Sequence, residues 1–281
     1  MSPDNKRQPA SSLTPITIIT GGSEGIGKAL AFEFAQGGDD LLLIARNRQL
    51  LENTSREIRQ QFDVEVLSLS CDLVEPGFCA KIDQLLRTHN RYCQNLVNNA
   101  GFGLAGDFSR LDETAISDMI GLNVGALTTL SRHFLPDMLE RGDGGILNVA
   151  SMGGLLPGPY QAAYYASKAY VISLSKALSW EVWGTGVHIC ALAPGPVRTK
   201  FHARMGARSE LYIKSGAGIS AKRTARMGHS GFKCGKSLII PGILSQMGAL
   251  ALKIIPHDLL MPVMAWFLKA RTRHIPKKGD Q

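Results

Sequence analysis

A parallel β-sheet covered by helices on both faces is predicted by three observations. Short apolar runs alternate with longer segments of helical periodicity from residue 14 to residue 195. A glycine-rich turn follows the first such run directly, and the connections are short throughout. The chain of 281 residues, 44% apolar and 19% charged, can bury a sizeable core as one large α/β domain or two small ones. No linker interrupts residues 14–195, so one domain is expected.

Ile16–Thr20 is uncharged and β-branched and reads as a buried strand. Gly21-Gly22-Ser23-Glu24-Gly25-Ile26-Gly27 follows at once, and Leu30, Ala31, Phe34 and Ala35 then recur at helical spacing. In that strand–turn–helix order, glycines let the backbone turn sharply and let a pyrophosphate approach the helix N-terminus, where unpaired N–H groups favour anions. Leu41–Ala45 is a second strand, ending on Arg46-Asn47-Arg48 with no acid. An acid there bonds the ribose 2′-OH of NAD, whereas an arginine accommodates the 2′-phosphate of NADP, so Arg46 argues for NADP(H) over NAD(H). Asn47–Phe62 has helical periodicity with Asn47 at its cap, and Val64–Ser70 is a third strand leading to Cys71-Asp72-Leu73. Pro76–His89 is helical, and a fourth strand from Asn95 closes on Asn98-Asn99-Ala100-Gly101. A helix over 113–138, a strand over 145–150, a helix over 162–183 and a strand over 187–193 complete a Rossmann-type, doubly wound sheet.

On the helix over 162–183, Tyr164 and Lys168 are four residues apart and share a face. An ammonium beside a phenol lowers the phenol's pKa from its usual ~10, which suits proton exchange near neutral pH. Tyr165, three residues before Lys168, is also within reach by spacing.

Together these segments resemble the short-chain dehydrogenase/reductase family over residues 14–242. The resemblance rests on Thr20-Gly21-x-x-x-Gly25-Ile26-Gly27, Asp72-Leu73, Asn98-Asn99-Ala100-Gly101, Asn123, Ser151, Tyr164-x-x-x-Lys168 and Pro194-Gly195-x-x-x-Thr199. Three residues separate Gly21 from Gly25, as in the family's single-domain reductase branch; the sugar-epimerase branch has two. The resemblance selects Tyr164 over Tyr165 as general acid in ketone reduction and base in alcohol oxidation, and leaves Tyr165 as packing or oligomer surface. It implies that Lys168 tunes Tyr164 and bonds the nicotinamide ribose. Ser151 would polarise the substrate carbonyl, and Asn123 would support a water path to Lys168. Gly21, Ser23, Gly25, Ile26 and Gly27 would surround the cofactor phosphates. Asp72 and Leu73 would face the adenine, Asn99, Ala100 and Gly101 the adenosine ribose, and Pro194, Gly195, Val197 and Thr199 the carboxamide. A homodimer or homotetramer, paired through the helices near 113–138 and 162–183, is implied as well.

Phe102, Leu104, Met152, Leu156, Tyr160 and Phe201 lie near the catalytic strand ends by sequence and are the candidate substrate contacts. Residues 199–236 are expected to cover the substrate. The last strand is Ser237–Gly242, and residues 243–281 form a basic helical extension, with apolar segments 243–255 and 259–270 broken by Pro256 and Pro262. Residues 1–13 read as a disordered tail without a signal peptide, and no run reaches the ~18 apolar residues of a membrane span.

The net charge of +8 is uneven: residues 1–199 hold 16 basic and 20 acidic side chains, residues 200–281 hold 15 and 3. The basic third could face a membrane surface, an acidic carrier or a phosphorylated ligand, or serve solubility alone. No nucleic-acid motif accompanies it. Five scattered cysteines with no Cys-x-x-Cys pair read as free thiols in a reducing, cytoplasmic setting, with no metal site. Peripheral membrane contact through 243–281 stays open, with a core or subunit-packed helix as the alternative.

The expected activity is NADP(H)-dependent reduction of a carbonyl on a hydrophobic, acyl- or lipid-like substrate. Steroid-type alcohol oxidoreduction and a non-catalytic NADP-binding sensor or scaffold are the alternatives.

Overall fold

The computed structural model describes residues 13–206 and 218–272. The expected tail before residue 13, part of the expected substrate cover and the last basic cluster lie outside the described residues.

Seven parallel strands form one sheet: β1 (Thr14–Thr20), β2 (Leu41–Ala45), β3 (Val66–Ser70), β4 (Arg91–Asn98), β5 (Gly144–Val149), β6 (Val187–Leu192) and β9 (Leu238–Ile239). Their order is β3-β2-β1-β4-β5-β6-β9, so the winding reverses between β1 and β4. In such sheets the crevice at that reversal, outside the strand carboxyl ends, is where ligands bind. A separate small pair joins β7 (Val197–Arg198) to β8 (Ile219–Ser220).

Period-2 alternation splits the core into two layers. Ile16, Ile18, Leu42 and Ile44 pack against α3 (Phe78–Thr88) and α5 (Leu127–Arg141). Ile19, Leu41 and Leu43 pack against α1 (Gly25–Gln36) and α2 (Arg48–Gln61). Each fully buried side chain of this kind contributes about 1.5–3 kcal/mol over leaving it exposed. Asn47 caps α2, its side chain accepting from Leu50 N at 2.9 Å.

The helix expected over 113–138 is three segments in succession: α4 (Glu113–Ile120), a π turn (Gly121–Ala126) and α5. The wider turn is the kind of irregularity that concentrates at functional sites, and here it carries the buried Asn123. α6 (Ala162–Glu181) follows β5.

Two expectations change. Within residues 199–236, α7 (Phe201–Arg204) borders the cleft, but α8 (Ala221–Lys233) is largely a core helix against α1. Its Ala225 and Phe232 are buried, and His229 meets Phe34 edge-on at 4.6 Å. Small residues hid this packing, because Gly228 and Gly231 sit where a Cβ would meet Leu192 and Ile239. Secondly, α9 (Ile243–Ile254) ends before Pro256, but α10 (His257–Arg271) runs through Pro262. Pro262 is exposed, so the carbonyl it leaves unbonded one turn earlier can meet water. No helix among the described residues is long and apolar enough to cross a membrane.

Candidate active site

The crevice is stitched by Thr20 and Asn99, at the carboxyl ends of β1 and β4. Thr20 Oγ1 accepts from the N–H groups of Asn99 and Ala100, each at 3.0 Å. Asn99 Nδ2 donates to the carbonyls of Thr20 and Gly21 at 3.0 and 3.1 Å. The side chain of Asn99 therefore shapes the glycine turn, leaving its backbone to border the cleft. Gly21 has φ +65°, and a Cβ at Gly27 would fall 2.2 Å from Gly21 O. Both positions exclude a side chain, the first by conformation and the second by close approach.

A cleft of about 850 Å³ opens above these strand ends. Gly21, Ser23, Gly25 and Ile26 form one end, beside the N-terminus of α1. Arg46 and Asp72 meet there across 3.5 Å, with Leu73 beside them. Ala100, Gly101, Pro194, Gly195, Val197 and Thr199 line the cleft as well, and a Cβ at Gly25 would lie 3.6 Å from Thr199 Cγ2.

Ser151, Tyr164 and Lys168 share one wall of the cleft. Ser151 Oγ accepts from Gly153 N at 3.1 Å, which leaves its O–H proton able to donate elsewhere. Lys168 is buried, its Nζ donates to Val149 O at 2.9 Å, and burial lowers its pKa to about 8. The Nζ lies 6.0 Å from the centre of the Tyr164 ring. That ring is 8% exposed and packs on Phe201 at 5.6 Å.

Asn123 stands behind this wall. Its Oδ1 accepts from Phe102 N at 3.1 Å, while Nδ2 donates to Phe102 O at 2.9 Å and Ser167 Oγ at 3.1 Å. A Cβ at Gly101 would lie 2.7 Å from Asn123 Oδ1 and 3.6 Å from Lys168 Nζ, so both groups flank one backbone position.

Of the candidate substrate contacts, Phe102, Met152, Leu156 and Phe201 line the cleft. Leu104 and Tyr160 do not. Leu104 packs behind with Ala105, Met119 and Met205. Tyr160 holds φ +63°, its carbonyl accepts from Gly106 N, and Lys269 Nζ lies 5.9 Å over its ring. Sequence proximity to a strand end does not specify which way the following loop turns. Tyr165 covers Gly153 and Gly158 and also borders the cleft, so packing is only part of its place.

Three further features escaped the sequence. Glu24, inside the glycine turn, pairs with Arg204 at 2.6 Å and Lys200 at 3.9 Å, joining the turn to α7. The Arg204 guanidinium bonded to Glu24 holds that carboxyl below its usual range. Gln161, buried at the start of α6, lines the cleft with no hydrogen bond to Nε2 among the described residues. Met205 adds to the apolar lining. Charge signs hinted at the first feature, but a separation of 180 residues concealed the pairing.

Sheet order, glycine turn and cleft define a dinucleotide-binding type of α/β fold. The short chain dehydrogenase family model matches residues 15–210, and the chain belongs to that family. It is 29% identical over 279 residues to very-long-chain 3-oxoacyl-CoA reductase-B of Danio rerio, covering 96% of this chain and 85% of that one. It is 35% identical over 188 residues to the very-long-chain 3-oxoacyl-CoA reductase of Bos taurus, covering 65% of this chain but only 59% of that one. Among solved structures, a short-chain dehydrogenase from Sphingobium yanoikuyae in complex with NADPH superposes with a TM-score of 0.76 at 28% identity, covering 95% of this chain and 100% of that one.

Proposed function

We propose that the protein reduces a carbonyl on a hydrophobic, acyl-type substrate with NADPH. The observation that carries this reading is the meeting of Ser151, Tyr164 and Lys168 in a cleft walled by Phe102, Met152, Leu156, Phe201 and Met205. The kinship with 3-oxoacyl-CoA reductases and with an NADPH-bound structure supports the substrate class and the cofactor.

The chain's groups fit the dinucleotide. The glycine turn is clear of side chains beside the N-terminus of α1, whose N–H groups take the pyrophosphate. Ser23, Gly25 and Ile26 border that position, and Arg46, braced by Asp72, takes the 2′-phosphate. Asp72 and Leu73 would flank the adenine, Ala100 and Gly101 the ribose, and Pro194, Gly195, Val197 and Thr199 the carboxamide. When bound, NADPH supplies the hydride that adds to the carbonyl carbon.

Negative charge then grows on the carbonyl oxygen. Ser151 donates a hydrogen bond to that oxygen, and Tyr164 transfers its phenolic proton, completing the alcohol. Lys168 holds a positive charge nearby at neutral pH and returns a proton to Tyr164 from solvent. Asn123 holds the Phe102 backbone and the Ser167 hydroxyl, which keeps this wall fixed.

The test is NADPH absorbance on the full chain with 3-oxoacyl thioesters of increasing length, a panel of ketosteroids and short aldehydes. Catalytic efficiency should rise with acyl length. Faster ketosteroid turnover would move the substrate to the steroid class, and tight NADPH binding without consumption of any carbonyl would leave a sensor.

A further inference from the structure

We propose that the outer faces of α9 and α10 form a docking surface for an anionic lipid membrane. Of the fifteen large apolar side chains exposed among the described residues, eight lie between Ile243 and Trp266. On α9, Ile243, Leu244, Met247 and Leu250 are between 61% and 73% exposed and share one face. On α10, Leu259, Val263 and Trp266 are between 63% and 74% exposed at helical spacing, while Leu268 is buried. Apolar surface concentrated in this way marks an interaction site rather than scattered surface residues.

Charge selects the occupant. Residues 243–281, which contain both helices, hold six basic side chains against two acidic ones. A second copy would bring together two segments of like net charge. An anionic bilayer complements that charge and accepts apolar side chains without requiring a matched shape. Trp266 suits an interface that is apolar on one side and wet on the other. The helices are 12 and 15 residues long, too short to span, so they lie in the plane of the interface.

The inner face of α9 meets the cleft wall. Ser245 Oγ lies 2.7 Å from where a Cβ at Gly195 would sit, and a Cβ at Gly248 would be 3.5 Å from Met152 Cε. Gly195 and Met152 both line the cleft. Docking therefore sets one cleft wall beside the lipid. If the substrate is acyl-type, as proposed above, it can then enter from the lipid phase; the docking itself does not depend on that reading.

The test is flotation of the full chain with phosphatidylcholine vesicles, with and without about one-third phosphatidylserine. The parent should float with the anionic vesicles and less so as salt rises. In a Trp180→Phe/Trp183→Phe background, Trp266 emission should shift to the blue on binding. The charge-neutral triple variant Leu244→Gln/Met247→Gln/Trp266→Gln should bind roughly tenfold more weakly or worse, with NADPH affinity unchanged as the control for folding. A parent that does not float, or a variant that floats equally well, overturns the proposal. A variant that floats equally but loses subunits by light scattering assigns the face to a second copy. Failure to float leaves carbonyl reduction untouched, since that is read from NADPH absorbance without vesicles.

Discussion

The two walls of the cleft are built in different ways. Ser151, Tyr164 and Lys168 stand on the end of β5 and on α6, where Lys168 is tied to the Val149 carbonyl and Ser151 to the Gly153 amide. The facing wall, Thr199–Gly206, reaches the glycine turn through Glu24, using side chains of Lys200 and Arg204 that are 80% and 61% exposed. The Lys168 bond, buried in low dielectric, resists opening, whereas an exposed ion pair is worth about 0.2–1 kcal/mol and weakens with salt. On the reading proposed above, the reacting groups stand on the first wall, while the second adds exposed ion pairs to one backbone bond, from Ala105 N to Met205 O.

Tyr164→Phe strikes the fixed wall hardest. Turnover should fall by about 10²–10⁴-fold with NADPH affinity nearly unchanged. Steady-state rates and NADPH titration check this, and retained turnover would remove Tyr164 from its role.

Arg46→Asp tests whether an exposed cation becomes decisive once a phosphate arrives. The preference for NADPH over NADH should fall by roughly 100-fold, the scale of one lost charged hydrogen-bonding contact plus a new repulsion. Efficiencies measured with both cofactors decide it, and an unchanged ratio removes the 2′-phosphate role.

Lys168 sharpens the contrast by showing what the fixed wall costs. Burial depresses its pKa to about 8, so the charged form is disfavoured in the fold relative to the unfolded chain. That cost is present below about pH 8 and is relieved as the proton leaves. Carbonyl reduction should therefore decline as pH rises through about 8, by a pH–rate profile. Lys168→Met should lose turnover yet gain about 1 kcal/mol, or ~2–4 °C in Tm, at neutral pH. A lower Tm would show that the Val149 bond outweighs the burial cost.

Glu24→Gln should have the smallest effect. Loss of both ion pairs should raise the KM for NADPH roughly two- to fivefold and flatten its salt dependence. Stopped-flow release at low and high salt reads this, and an unaltered salt dependence would mean the pairs do not fasten the wall.

Sequence legibility followed the range of the interaction. β2 was read with its observed limits, and the Asn47 cap was read from short-range pattern, because alternation and capping act within a few residues. The π turn was not visible, since no local spacing marks it; it carries Asn123, whose partner Phe102 is 21 residues away. The resemblance groups residues 221–233 with the substrate cover and carries no sign of their packing, in which Gly228 and Gly231 allow close approach. Of the expected site residues, those placed by motif reach the cleft except Gly27 and Asn123, which support it from behind. Leu104 and Tyr160, chosen by proximity alone, turn away.

By itself the sequence determined the alternating strands and helices, the glycine turn and the shared face of Tyr164 and Lys168, all of which depend on local spacing. Tertiary structure alone decided that Glu24 fastens α7, that Asn99 shapes the glycine turn, and that the apolar stripes of α9 and α10 face outward. A helix's periodicity shows that it has an apolar face; only the packing of distant elements shows whether anything covers it.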